Sequence, residues 1–320
     1  MITIENVVNP QVTMLLDSIA GKMAELKHPP LDKLSPEQSR TFYKIARTYF
    51  QPLHVDGVKI TNSVIPSSHG HNIPIRIYTP SNVGPFSVLV YFHGGGWVFG
   101  DLDSCDNVCR YISLHANVIV ISVGYRLAPE HKYPAAFLDA VEAVKWTYQH
   151  VESLNGDVSK IGIGGESSGG NLAAATAMYF RDEENIELSY QFLITPVLNY
   201  CFDTPSYQAN YVYNLTTEKM KWFWGHYLQK PQDGLEIYAS PLRSQNFDLL
   251  PKTLLVTAEF DPLRDEGSLY AECLTKAGVR VEHLHYNDLV HSFINMIGNG
   301  DRAKQALVEI SSKLYNLHQP

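Results

Sequence analysis

The sequence predicts an α/β protein: a mostly parallel sheet of about eight strands, flanked by helices and carrying a helical cap. Three observations lead there. Residues 87–92 (SVLVYF) and 118–123 (VIVISV) are near-continuous apolar runs, as strands buried on both faces require. Strand-like and helix-like segments alternate along most of the chain, the pattern of a doubly wound sheet. The earliest strands instead alternate polar and apolar residues, which marks an antiparallel start with one face more exposed.

The first fifty residues read as helical. Apolar residues recur at helical spacing over 12–23, and Ser35-Pro36-Glu37-Gln38 reads as a helix cap followed by proline in the first turn. This part ends near Gln51-Pro52. Strands follow at 58–65, 73–78, 87–92 and 118–123, then at 161–164, 191–195, 253–257 and 279–286. Helices lie at 135–150, 169–180, 265–277 and 301–317. One stretch breaks the alternation. Residues 200–235 hold Tyr211, Tyr213, Trp222, Phe223, Trp224 and Tyr227, and a connection that long is uncommon unless it has structure of its own. It reads as a helical insertion whose aromatics either fill a core or line a pocket.

Composition narrows the function. The chain has 320 residues, 45% hydrophobic and 18% charged, with a net charge of −8. Such a chain buries a full core as one large domain with an insertion, or as two domains. Nothing basic enough for nucleic acid is present. Cys105, Cys109, Cys201 and Cys273 form no disulfide framework, and no second close Cys or His pair turns Cys105 and Cys109 into a zinc site. The start, MITIENVVNPQVTMLL, lacks a basic region before an apolar core, and no run is long enough for a membrane span. The expectation is a soluble, cytoplasmic protein needing no metal or cofactor.

The chemistry concentrates in a few places. Gly165-Glu166-Ser167-Ser168-Gly169 has the form G-x-S-x-G, follows the apolar run at 161, and opens a small-residue helix. Strand, sharp turn and helix are what a nucleophile elbow needs. The flanking glycines let the turn tighten without a Cβ clash. His93-Gly94-Gly95-Gly96-Trp97 directly follows the strand at 87–92. Its glycines free backbone N–H groups to converge on a developing oxyanion, together with the N–H of Ser168. A phosphate loop is the competing use of such glycines, but neither a P-loop nor a dinucleotide fingerprint occurs.

A serine hydroxyl needs a base, and the base an orienting acid. Among the histidines after Ser167, His283 and His285 share one face of a predicted strand, His318 is in the tail and His226 in the insertion. His291 lies in the loop after the last strand, where it can reach the elbow. Asp261 stands at the end of the strand at 253–257, beside the expected place of His291, with Asp288 as runner-up. Asp265 and Glu266 open the next helix and suit its N-terminus. Glu166 reads as support for the elbow, its side chain pointing away from that of Ser167.

Together these motifs resemble the hormone-sensitive-lipase-like family of α/β-hydrolase carboxylesterases, over nearly the whole chain. His93-Gly-Gly-Gly-Trp97 is similar to the family's HGGG element. Gly165-Glu-Ser-Ser-Gly-Gly170 resembles its G-D-S-A-G-G elbow, with Glu for Asp and Ser for Ala. Tyr125-Arg-Leu-Ala-Pro-Glu-His131, Tyr133-Pro-Ala-Ala136, Asp261-Pro-Leu-Arg-Asp-Glu-Gly267 and His291-Ser-Phe293, with Ser for Gly, complete the set. The resemblance implies Ser167 as nucleophile, His291 as base and Asp261 as acid. Oxyanion donors would be Gly95, Gly96 and Ser168, with Gly94 a lesser candidate. It implies a core over 51–199 and 241–320, and a cap from 1–50 and 200–240. Trp97, Trp222 and Tyr211 are candidates for contacting substrate. The expected activity is hydrolysis of short- to medium-chain acyl esters, a small-molecule partner, with no stable membrane insertion. A homodimer is an expectation from relatives alone. Two rivals share the fold: an amidase or deacetylase with the same triad, and a non-catalytic receptor for a small ligand.

Overall fold

The computed structural model describes residues 6–50, 55–184, 186–209 and 211–319. The strands are β1 (Val58–Pro66), β2 (Asn72–Pro80), β3 (Phe86–Phe92), β4 (Val118–Val123), β5 (Gly156–Glu166), β6 (Tyr190–Ile194), β7 (Lys252–Phe260) and β8 (Val281–Val290). They form one eight-stranded sheet in the order β1-β2-β4-β3-β5-β6-β7-β8. The β1–β2 and β2–β4 pairings are antiparallel and all later ones parallel. The fold expected from the sequence is therefore the fold observed.

The helices are α1 (Pro10–Glu25), α2 (Pro36–Arg47), α3 (Asp106–His115), α4 (Ala135–His150), α5 (Ser168–Glu183), α6 (Pro205–Gln208), α7 (Thr217–Tyr227), α8 (Arg264–Lys276) and α9 (Asp301–His318). The capping reading at Ser35 holds: its hydroxyl accepts from the Gln38 N–H, and the Gln38 side chain accepts in return. α3 is not foreseen in the sequence. Its apolar face is built partly from Cys109 and Tyr111, which do not read as a helical stripe. The expected end of the N-terminal part at Gln51-Pro52 lies outside the described residues.

Two apolar layers sandwich the sheet. Val88, Val90 and Phe92 of β3 face the layer of α4, α5 and α8, whereas Leu89 and Tyr91 face that of α3 and α9. This two-sided burial makes the run at 87–92 continuous rather than alternating. α1 joins the second layer through Val12 and Leu15. Segment 200–240 lies instead on the first layer, where Phe223, Trp224 and Tyr227 are buried against the glycine loop that follows β3. No helix among the described residues is long and apolar enough to cross a membrane.

Candidate active site

Ser167 sits at the sharp junction between β5 and α5, with φ 57° and ψ −119°. A left-handed backbone on a non-glycine residue is strained, and it persists only where its surroundings fix it. They do. The Ser167 N–H donates to the Ile194 carbonyl at 2.9 Å, and its own carbonyl accepts from Asn171 at 3.0 Å and Val197 at 3.2 Å. Gly169 must be glycine, because a Cβ there would overlap the carbonyl of Phe92. The sequence GESSG thus forms the tight turn because β3 and β6 close in on both sides of it.

Three side chains from three strand ends meet here. The Ser167 hydroxyl lies 3.0 Å from His291 Nε2, and His291 Nδ1 lies 2.7 Å from Asp261 Oδ2. The other Asp261 oxygen accepts from the Leu263 N–H at 2.9 Å, which fixes the carboxylate. Burial alone would push the His291 imidazole down. The Asp261 carboxylate, by charge and hydrogen bond, and Glu166 by charge, hold it above its ordinary value. Lys219 of α7 pulls the other way.

The glycine loop lies alongside. Gly95 and Gly96 have φ of 126° and 59°, which suit glycine, and the Gly95 carbonyl accepts from Val98 and Phe99. Among the described residues the N–H groups of Gly95, Gly96 and Ser168 have no acceptor. His93 underpins the loop. Its Nδ1 lies 2.8 Å from the Gly94 carbonyl, its ring stacks on Tyr125 at 4.4 Å, and burial lowers its pKa to about 4.

The other candidates fall elsewhere. Asp288 is ion-paired to Arg302 at 2.7 Å, away from His291. His283 and His285 share the Thr257 hydroxyl, and His318 bonds the Ala116 carbonyl. Asp265 accepts from the Ser206 N–H, and Glu266 from the Leu198 N–H. Trp97 is a correction. It is fully buried, stacked on Tyr227 at 4.0 Å and packed against Trp224, so it offers no surface to a substrate. Tyr211 is half-buried against Phe260, its hydroxyl accepting from Arg264. Trp222 is half-buried between the Leu34 carbonyl, which its Nε1 bonds, and Phe99.

Glu166, expected to support the elbow, reaches further than that reading. It turns toward His291, with Oε1 4.0 Å from Nε2, and accepts a hydrogen bond from the Ser292 hydroxyl. Sequence reasoning does not foresee that Glu166 reaches the His291 loop, and it misses Asn214, whose amide donates to the His291 carbonyl at 3.1 Å. The Ser-for-Gly exchange beside His291 is the signal that points to the first. No motif marks the second. An open cleft of about 660 Å³ lies behind Phe99, lined by Tyr43, Lys44 and Arg47, and includes none of Ser167, Asp261 and His291. Among the described residues, no cluster of His, Cys, Asp or Glu could hold a metal.

Residues 89–295 match the model of a family described as alpha/beta hydrolase fold. This chain belongs to that family. It is 36% identical over 269 residues to the carboxylic ester hydrolase LipN of Mycobacterium tuberculosis, covering 82% of this chain and 70% of that protein. It is 30% identical over 311 residues to an ethyl acetate hydrolase of Pseudomonas putida, covering 96% and 98%. A hyperthermophilic esterase from the archaeon Pyrobaculum calidifontis superposes with a TM-score of 0.87 at 35% identity, over 97% of this chain and 98% of the other. The hormone-sensitive-lipase-like, α/β-hydrolase character expected from the motifs is thereby established.

Proposed function

We propose that this protein is a serine carboxylesterase acting on short- to medium-chain acyl esters. Ester hydrolysis is the chemistry of its relatives, and the chain is a serine ester hydrolase by class. The observation that carries the reading is the unbroken line of hydrogen bonds from Ser167 through His291 to Asp261, beside the N–H groups of Gly95, Gly96 and Ser168, which have no acceptor among the described residues.

Ser167 attacks the ester carbonyl as His291 Nε2 takes its proton. The negative charge on the former carbonyl oxygen rests on the N–H groups of Gly95, Gly96 and Ser168. His291 then gives its proton to the departing alcohol, leaving an acyl-enzyme. Water, deprotonated by His291, attacks the acyl carbon, and the serine oxygen leaves with the proton back on it. Asp261 keeps the imidazole in the tautomer that accepts at Nε2. Ser167 and His291 are only 5% and 4% exposed, so substrate reaches them through a narrow opening. Helix α2 and segment 200–240 form the cap that bounds it. Their aromatic residues, Trp222 and Tyr211 among them, suit an apolar acyl or alcohol group.

The test uses a fluorophosphonate probe and nitrophenyl esters from two to sixteen carbons. The probe adds its mass to the peptide holding Ser167, and Ser167→Ala loses turnover by a factor on the order of 10⁶ while remaining folded. Labelling of another residue, or retained turnover in the alanine variant, removes Ser167 from its role.

A further inference from the structure

Glu166 is a second buried carboxylate at the site, on the opposite side of the imidazole from Asp261. Its Oε1 lies 4.0 Å from His291 Nε2, the nitrogen that faces Ser167, and also accepts from the Ser292 hydroxyl. Its Oε2 occupies the space over Gly94, where a Cβ would overlap it. One side chain therefore touches the elbow, the loop carrying His291 and the glycine loop. Glu166 is 4% exposed, and among the described residues His291 is its ion-pair partner. Ser292 is held with φ 61° and ψ 22°, a conformation that favours glycine. The family motif has glycine there, and this chain keeps a serine whose hydroxyl bonds Glu166.

We infer that Glu166 is a positioning residue that fastens the His291 loop to the elbow and stabilises, by its charge, the imidazolium formed when Ser167 loses its proton. The inference rests on the esterase reading above. The proton moves from the Ser167 hydroxyl to Nε2, and Glu166 exchanges none. A carboxylate at this distance favours the protonated ring, so it aids the step in which that ring forms. The groups facing His291 are Asp261 from the loop after β7, Glu166 from the elbow and Lys219 from α7. Burial raises the Glu166 carboxyl above its ordinary value and Asp261 adds to the rise, while the facing His291 and the Ser292 hydroxyl favour its charged form. Tyr43 of α2, half-buried, and the buried Tyr91 of β3 and Tyr125 after β4 also feel its charge, and desolvation raises the pKa of each phenol.

The experiment compares kcat/KM against pH for wild type, Glu166→Gln, Glu166→Asp and Ser292→Ala, with fluorophosphonate labelling of Ser167 as a separate readout. Glu166→Gln keeps the shape and removes the charge. We expect its kcat/KM to fall about tenfold, less than loss of a direct oxyanion donor. Its acid limb should move about one unit lower, since the imidazole loses a neighbouring anion. Glu166→Asp should restore the position of the limb. Ser292→Ala loosens the carboxylate and should move the limb the same way by less, and it decides the matter if Glu166→Gln does not fold. Profiles that superimpose on wild type, or activity lost with the limb unmoved, would overturn the inference. Failure of wild type to label at Ser167 would instead strike at the esterase reading.

Discussion

The elbow and the segment at 200–240 face each other across the site, and they are built on opposite principles. The elbow is positioned by backbone. Ser167 is pinned through its own N–H and carbonyl, its strain is fixed by flanking strands, and glycine is needed at 169 because another backbone lies against it. Segment 200–240 is positioned mainly by side chains, helped by the Tyr133 N–H donating to the Tyr227 carbonyl at 2.8 Å. α7 rests on Phe223 and Trp224, packed over the glycine loop and Trp97, and Trp222 ties it to the N-terminal part through a single bond to Leu34. Chemistry needs reacting atoms held to a fraction of an ångström, which packed backbone provides. A wall around variable substrates needs only an apolar surface of suitable shape.

One substitution made in both regions breaks or sharpens that contrast most directly. Gly169→Ala forces a Cβ into the Phe92 carbonyl. We expect a loss of about 3 kcal/mol or more of stability, and loss of turnover even in the fraction that folds. Gly225→Ala, on the exposed face of α7 with nothing within 4 Å of the new Cβ, should be neutral or stabilise by about 0.5–1 kcal/mol. Thermal melts and nitrophenyl acetate rates measure both. Equal effects would mean that backbone approach is not what fixes the elbow.

This contrast also explains what the sequence discloses. Backbone-positioned chemistry leaves short fixed motifs, because only particular residues fit: glycines at 94–96, 165 and 169, serine at the turn, histidine and aspartate at strand ends. These were legible, as were the two-sided strands of the sheet. Side-chain packing leaves no such mark. Trp97 carries the same apolar signature whether it lines a pocket or lies under α7. The amide of Asn214 reaching the His291 carbonyl depends on how two loops distant in sequence meet. Helix α3 escaped because cysteine, tyrosine and serine make up three of its five buried residues.

The pH dependence couples the two regions. In the proposed mechanism His291 must be neutral to accept the Ser167 proton. Its folded-state value is raised by Asp261 and Glu166 against burial, so the acid limb of kcat/KM should have its midpoint above the ordinary ~6.5. Activity is then full above that midpoint and lost as pH falls through it. Lys219 of α7 opposes the rise. Its ammonium is itself pushed down by burial and donates to the Asn214 carbonyl at 2.8 Å. Removing that positive charge in Lys219→Met should move the midpoint further up, by a few tenths of a unit on the order expected for a partly screened charge. A midpoint moving down would mean that α7 does not bear electrostatically on His291.

The smallest effect should come from Trp222. Its ring lies between Phe99, at 5.8 Å, and His226, at 4.3 Å, and it stays half-exposed while its Nε1 bonds Leu34. Trp222→Ala removes area from the cap wall and one bond between the N-terminal part and the insertion, and touches neither Ser167 nor His291. Rates on the acetate ester should change about twofold or less. Rates on eight-carbon and longer esters should change severalfold, since each CH₂ that gains or loses apolar cover is worth about 0.8 kcal/mol. The direction reports the geometry: a rise with chain length means that the indole closes the end of the pocket, and a fall means that it forms the side. Equal change for every ester would place Trp222 with the elbow rather than with the wall, and the division between backbone-held chemistry and side-chain-held recognition would fail at that residue.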